Sequence, residues 1–246
     1  MIFLKKIIKF FLYQIFSIFP SNGVVILMYH SIGENNEFFT VKRALFEEQV
    51  EYLKQNHFNV IRLDSLLKID KSQRLRKTVA ITFDDGYEDN YTNAFPILKK
   101  NNFPATIFVS TAFIGKNMVA RKGTDLSILS EGEMKEMHKS GLIEFGSHCH
   151  NHPKLTSLKN EEIENEFVVS QKIIQDLLGY VPKSFAYPKG NFDERVDRVT
   201  SKFFDMAVTV KKGKENKFDL LNLKRNSIDS AVSMSEFKNI VKVGKI

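Results

Sequence analysis

The sequence predicts an α/β protein in which parallel strands are wrapped by helices. Short apolar runs alternate with segments of helical periodicity from residue 21 onward, and this alternation is typical of a parallel sheet covered by helices. The length of 246 residues suits a single barrel of this kind. Apolar residues at 43% and charged residues at 26% are ordinary for a globular core, which excludes disordered and collagen-like chains.

Each predicted element depends on a local pattern. Apolar runs predict buried strands over 24–28, 79–83, 105–110, 142–146, 184–187 and 206–210. Apolar residues at helical spacing predict helices around 46–53, 94–98 and 159–178, and Gly179 ends the last of them. Ser130 and Glu133 form a capping box that opens a short helix, which stops at Gly141. In parallel barrels the chemistry sits at the carboxyl ends of strands, so the polar residues after these strands should converge.

Residues 1–20 are predicted to be distinct from a single domain at 21–246. The N-terminal segment is rich in Phe, Ile and Leu, but its continuous apolar part is shorter than the about 20 residues that a membrane span needs. Polar residues recur every four positions from Lys5 to Ser17, which is typical of an amphipathic helix lying in a membrane interface. A secretory signal and a helix packed on the protein itself are the alternatives. We therefore expect a membrane-associated or extracytoplasmic protein, with the side of the membrane left open.

The charge and the cysteine count limit the possible partners. The net charge of +7 is spread along the chain, so it is a bias towards anionic partners and not a binding site. The single cysteine, Cys149, excludes an intrachain disulfide. The sequence has no basic stripe interleaved with aromatic residues and no nucleic-acid-binding motif, so no nucleic-acid partner is predicted.

Residues that can bind a metal follow several predicted strands. His30 follows the first strand, Asp84 and Asp85 follow the second, and His148 and His152 follow the fourth. Two histidines and one carboxylate leave coordination positions for water and substrate, which is the arrangement of a catalytic metal site. Neighbouring side chains at a strand end point in different directions, so one aspartate can bind the ion while the other accepts a proton. The pattern His-Glu-x-x-His is missing, which disfavours a zincin protease.

Three motifs in order carry a resemblance to a known family. They are Thr82–Gly86 (TFDDG), Ser147–Pro153 (SHCHNHP) and Phe185–Gly190 (FAYPKG). Together they resemble the polysaccharide deacetylase family, which is the NodB-homology group or fourth carbohydrate esterase family. The likeness covers roughly residues 24–230. It implies a single distorted (β/α) barrel, one divalent metal ion that is usually zinc, and hydrolysis of N-acetyl groups, or less often O-acetyl groups, on glycans.

The resemblance also implies roles for individual residues. Asp84 would be the general base, and Asp85, His148 and His152 would be the metal ligands. No histidine follows His152, so His30 is the candidate general acid, as in the subgroup whose acid motif lies near the N-terminus.

The third motif departs from the usual family pattern. Ala186 stands where the family commonly has an arginine that orients the base, and Arg225 is a candidate replacement. Lys189 stands where an aromatic residue is usual, although its backbone N–H can still stabilise an oxyanion. The predicted substrate-binding residues are Tyr187, Pro188, Lys189 and Arg225.

The function expected from this resemblance is a metal-dependent hydrolase that removes N-acetyl groups from amino sugars of a cell-surface polysaccharide. The expected partners are an N-acetylated glycan and, through residues 1–20, a membrane surface. Two alternatives stay open. One is an amidohydrolase acting on a small non-sugar amide, and the other is a non-catalytic glycan-binding barrel.

Overall fold

The computed structural model describes residues 22–68, 75–120 and 122–244. The predicted N-terminal helix at 1–20 lies outside these residues. Within the described part of the chain, no helix is long and apolar enough to cross a membrane.

Strands and helices alternate along most of the described chain. The strands are β1 (Val24–Tyr29), β2 (Asn59–Ile61), β3 (Thr78–Phe83), β4 (Ala105–Val109), β5 (Asn117–Val119), β6 (Asp125–Ser127), β7 (Ile143–Ser147), β8 (Ser184–Ala186), β9 (Met206–Val208) and β10 (Asn226–Ser227). The helices are α1 (Arg43–Gln55), α2 (Phe95–Asn101), α3 (Glu131–Lys139), α4 (Asn160–Leu178), α5 (Glu194–Thr200) and α6 (Met234–Val243). Every strand and helix predicted from the sequence is present, with ends shifted by a few residues. The short elements β2, β5, β6, β10 and α5, together with α6, were not predicted.

The main sheet is parallel and curls around the interior. Its strands follow the order β10-β1-β3-β4-β7-β8-β9, and β2 pairs alongside β3. The sheet is not closed into a full barrel, because its two end strands, β9 and β10, do not pair with each other. Instead, residues 220–225 bridge the gap, since the Ala207 N–H donates to the Leu220 carbonyl over 2.7 Å and the Leu223 N–H donates to the Ala207 carbonyl over 3.0 Å. The fold is therefore a half-barrel of parallel strands with surrounding helices, in agreement with the predicted distorted (β/α) barrel.

Both faces of the strands are buried, which explains their continuous apolar runs. Along β1, Val25 and Leu27 pack in a cluster with α1, α2 and α6, whereas Val24 and Ile26 pack with Phe108 in a second cluster. Successive side chains on a strand point to opposite faces, so one cluster lies under the helices and the other fills the curl of the sheet. This packing holds the carboxyl ends of β1, β3, β7 and β8 along one rim.

The capping signals seen in the sequence are also confirmed. The Ser130 hydroxyl accepts from the Glu133 N–H, and the Glu133 carboxylate accepts from the Ser130 N–H, at the start of α3. Gly179 follows α4 with a φ of 82°, a left-handed conformation that glycine adopts without a steric penalty.

Candidate metal centre

A carboxylate and two imidazoles meet at the rim where β3 and β7 end. The Asp85 Oδ1 atom lies 3.5 Å from His148 Nε2 and 3.4 Å from His152 Nε2. One potential ligand atom from each residue lies within 4.8 Å of the other two. The three residues predicted to bind the metal are therefore close enough to share one ion.

The protonation states of this cluster favour a cation. Burial is the main reason that the pKa of His148 and the pKa of His152 both fall to about 4, so both rings are neutral near pH 7. Asp85 Oδ1 is buried and accepts no hydrogen bond. The Asp85 oxygen therefore lies between two uncharged rings without a hydrogen bond, which is costly unless a cation lies there. Two histidines and one carboxylate fit a catalytic zinc site.

The backbone around Asp85 explains how two adjacent aspartates can have different surroundings. Asp85 has a φ of 70° and Gly86 a φ of 75°, both in the left-handed region. A Cβ atom on Gly86 would lie 2.8 Å from Val109 Cγ1, so this turn also needs glycine for steric reasons. The turn directs Asp85 towards the histidines while Asp84 faces a different partner. Strain in a non-glycine residue such as Asp85 is often found at functional sites.

A backbone carbonyl fixes the orientation of His148. Its Nδ1 atom lies 2.7 Å from the carbonyl oxygen of Ala186 at the end of β8. Because a carbonyl only accepts, Nδ1 carries the proton and Nε2 keeps a lone pair that faces Asp85. Metal-binding histidines commonly show this arrangement.

Asp84 is paired with Arg225 inside the half-barrel. The Arg225 guanidinium donates from Nη1 to Asp84 Oδ1 over 2.6 Å and from Nη2 to Asp84 Oδ2 over 2.7 Å. Arg225 is fully buried, and Asp84 is only 4% exposed. Burial alone would raise the pKa of Asp84, but the charge and hydrogen bonds of Arg225 outweigh it and hold that pKa well below its usual range. Asp84 is therefore an ionised carboxylate held in one orientation, and each oxygen still has a free lone pair.

Further contacts hold Arg225 inside the curl of the sheet. Ala186 and Phe108 belong to the cluster inside the curl, and the Arg225 guanidinium lies 5.7 Å over the Phe108 ring. The Arg225 Nε atom also donates to the Thr209 carbonyl over 3.0 Å. The sequence offered Arg225 as a replacement for an arginine missing at Ala186, and the structure brings it to Asp84 from the segment that bridges β9 and β10.

His30 follows β1 on the same rim and is partly exposed. Its main chain lies beside that of Asp84, because the Asp84 N–H donates to the carbonyl of the preceding residue, Tyr29, over 3.0 Å. Its ring packs against Phe39, with centroids 5.5 Å apart.

Three of the four predicted substrate-binding residues are buried. Tyr187 is 1% exposed, and its hydroxyl donates to Asp197 Oδ1 over 3.0 Å. Arg225 has no exposed surface, and its guanidinium is paired with Asp84. Pro188 is buried as well, which leaves the exposed Lys189, with a φ of 60°, as the predicted residue that faces solvent. The burial of Tyr187 has a simple cause. It lies on the same face of its strand as Phe185, and that face packs under the helices.

Glu166 belongs to the surroundings of the site, although no sequence pattern predicts this. This residue lies on α4 and is 8% exposed. Its Oε2 atom accepts from the N–H groups of His150 and Asn151 over 2.9 and 2.8 Å, and its Oε1 atom accepts from Asn151 Nδ2 over 2.7 Å. Glu166 therefore holds the loop between His148 and His152 in place.

We expect Glu166→Gln to weaken binding of a divalent metal ion by about 10-fold, the lower end of what residues around a metal's ligands contribute. An amide can accept at only one of the two positions, so part of the loop loses its anchor. Chelator competition measures the affinity. Glu164→Gln is the matched control, because Glu164 lies on the same helix but pairs with Lys202 at the surface. Equal affinities for the Glu166 variant and the control would contradict this role.

Comparison with known proteins agrees with the site. Residues 71–204, more than half of the chain, match the model of the polysaccharide deacetylase family. The chain belongs to this family. The resemblance predicted from the three motifs is thereby confirmed, whereas the subgroup with an N-terminal acid histidine stays a prediction.

Relatives of this deacetylase-family chain include proteins from three bacteria. YxkH of Bacillus subtilis (strain 168) is 34% identical over 191 residues, which are 76% of this chain and 64% of that protein. The poly-β-1,6-N-acetyl-D-glucosamine N-deacetylase of Staphylococcus aureus (strain N315) is 30% identical over 196 residues, which are 70% of this chain and 66% of that protein. The chain thus spans slightly less than two thirds of the length of these relatives. The structure of the Streptococcus pyogenes deacetylase PplD in complex with acetate superposes with a TM-score of 0.77 and 26% identity, covering 92% of this chain and 100% of that one.

Proposed function

We propose that the protein is a zinc-dependent hydrolase that removes N-acetyl groups from amino sugars of a cell-surface polysaccharide. The observation that carries this proposal is the unpartnered Asp85 oxygen, which faces two neutral imidazoles beside an Asp84 carboxylate held by Arg225. Membership of the deacetylase family and a Staphylococcus aureus relative named for poly-β-1,6-N-acetyl-D-glucosamine support a glycan substrate.

In this proposal the side chains divide the chemistry of amide hydrolysis. Asp85, His148 and His152 would hold the ion, which when bound acidifies water and polarises the acetyl carbonyl. Asp84 accepts a proton from the attacking water. As the new carbon–oxygen bond forms and the carbon–nitrogen bond breaks, His30 gives a proton to the departing amine, so the products are acetate and the free amino sugar. The low pKa of Asp84 makes it a weak base, and this would suffice for a water whose own pKa a bound ion lowers.

Two further residues have supporting roles in the proposal. Arg225 keeps Asp84 ionised and orients it, although it does not touch the substrate. The backbone N–H of Lys189 stabilises the oxyanion, a role that does not depend on the side chain.

Acetate release from N-acetylglucosamine oligomers tests the proposed reaction. The zinc-loaded protein is expected to release acetate, a strong chelator to abolish the release, and added zinc to restore it. Release of acetate from small non-sugar amides but not from the oligomers would favour an amidohydrolase. Oligomer binding without any acetate release would favour a glycan-binding barrel, and either result would contradict the proposal.

We also propose that residues 1–20 associate with a membrane surface. Support comes from the sequence, in which lysines and other polar residues occupy one stripe of an otherwise apolar segment. The full-length protein is expected to sediment with membranes in cell fractionation, and a variant lacking residues 1–20 to stay in the supernatant. A full-length protein that stays in the supernatant would contradict the membrane proposal without affecting the proposed chemistry.

A further inference from the structure

The backbone that carries His30 is held by amide side chains from a neighbouring segment. The Asn90 Nδ2 group donates to the carbonyl oxygen of His30 over 2.7 Å. Two residues further along the chain, the carbonyl oxygen of Ile32 accepts from Asn93 Nδ2 over 2.8 Å. Both asparagines belong to the turn that follows the Asp84–Gly86 motif. One segment therefore connects the proposed base, Asp84, with the main chain of the proposed acid, His30.

Asp89, from the same turn, also holds the main chain that follows His30. Asp89 accepts from the Ser31 hydroxyl over 2.5 Å and from the Ile32 N–H over 3.0 Å. The Asn90 Nδ2 group also donates to Asp89 Oδ1 over 3.1 Å, which ties the carboxylate and the amide together. The residue before His30 is anchored too, because the Tyr29 carbonyl accepts from the Asp84 N–H over 3.0 Å.

Asn90 has features that stability alone does not explain. It is fully buried, yet its Oδ1 atom has no hydrogen-bond partner in the described part of the chain. A buried acceptor without a partner is unfavourable, so this amide is retained in spite of a cost. Asn90 also opens a π-helical turn, Asn90–Ala94. Such turns are rare and occur often at functional sites.

The imidazole of His30 depends on this backbone anchor. Among the described residues its ring nitrogens make no hydrogen bond, and its ring packs against the ring of Phe39. Its place on the rim is therefore set mainly by the position of its own main chain. We infer that Asn90, assisted by Asp89 and Asn93, is a positioning residue that places His30 to protonate the departing amine. This inference rests on the proposed function, in which His30 is the general acid.

The dependence on the leaving group tests the inference. An amine leaves only when protonated, whereas 4-nitrophenolate is a stable anion and needs no acid. The zinc-loaded full-length protein is assayed with N-acetylglucosamine oligomers and with 4-nitrophenyl acetate. His30→Ala is expected to lose about 10²-fold or more on the oligomers, within the usual range for a general acid, and far less on the ester. Asn90→Ala is expected to show the same selective loss at a smaller size, about 10-fold, because the acid is still present but misplaced.

A double-mutant cycle separates positioning from general damage. If Asn90 acts through His30, then Asn90→Ala causes no further loss on the oligomers in a His30→Ala background. Asn101→Ala is the matched control, since the Asn101 amide also donates to a main-chain carbonyl, that of Ile97, but on α2 away from the rim. Equal losses of Asn90→Ala on both substrates, or a full additional loss in the His30→Ala background, would overturn the inference.

A spectroscopic readout is independent of turnover. The chain has 6 histidines, so the imidazole signal of His30 can be assigned by NMR from its disappearance in His30→Ala. Asn90→Ala is expected to shift or broaden that signal, and an unchanged signal would overturn the inference. Should Asn90→Ala fail to fold, Asn93→Ala is measured in the same way with the same criteria. Absence of acetate release by the unmodified protein would instead contradict the proposed function.

Discussion

Replacing Asp84 with asparagine is expected to reduce acetate release by about 10²–10⁴-fold, the usual contribution of an acid–base group. The amide has nearly the same shape as the carboxylate, but it cannot accept the proton of the attacking water. Zinc stoichiometry should stay at one ion, because the three proposed ligands are other residues. Acetate release measured together with metal content checks both parts of this expectation.

The neighbouring aspartate provides the contrast. Asp85→Asn removes a charged ligand, so it is expected to lower the zinc affinity as well as the rate. Asp176→Asn is the control, since Asp176 lies on the surface and pairs with Lys172. Equal loss of zinc in the Asp84 and Asp85 variants would contradict the division of roles between the two carboxylates.

Replacing Arg225 with methionine is expected to lower the free energy of unfolding by about 3–5 kcal/mol near pH 7, because it leaves the Asp84 carboxylate buried without its partner. The Arg225–Asp84 pair is almost completely removed from water, so solvent screens it little. Denaturant unfolding measures the loss. Arg198→Met is the control, because Arg198 is exposed and its ion pair with Glu194 is loose.

The pH dependence gives this prediction a sign. In the wild type, Arg225 holds the pKa of Asp84 below the value of about 3.9 expected for an unfolded chain, so the pair's contribution is present above that pH and is lost as the pH falls through the folded pKa. In Arg225→Met, burial remains and raises the pKa of Asp84, so protonation stabilises that variant as the pH falls. The stability difference between the two proteins should therefore be largest near pH 7 and shrink towards pH 4. A difference independent of pH, or one below about 1 kcal/mol at pH 7, would contradict this account.

Local patterns were sufficient to predict the main elements of the fold and the proposed metal ligands. Strands buried on both faces have continuous apolar runs in the sequence. Residues at the carboxyl ends of such strands share one rim, so the sequence alone predicts that Asp85 and His148 lie close together. Ala186 showed where an arginine was missing, but a single residue far along the chain cannot be assigned to that gap by spacing alone. The bridging segment that brings Arg225 to Asp84 precedes β10, a strand of only two residues that no sequence pattern reveals.

Other parts of the site depend on tertiary packing. Glu166 lies among other polar residues in the sequence of α4. Its carboxylate accepts three hydrogen bonds, from His150 and Asn151, only because that helix packs against the His148–His152 loop. Tyr187 shows the same dependence. The alternation of side chains along its strand places its ring in the cluster under the helices, and its contact with a substrate stays a prediction.

Anomalous diffraction at the zinc edge from crystals of the zinc-loaded protein tests the central claim most directly. The account predicts one strong peak bonded to Asp85, His148 and His152 at about 2.0–2.2 Å from each ligand atom, with Asp84 close by but not bonded. A peak bonded to Asp84, or zinc bound only at other positions of the chain, would contradict it.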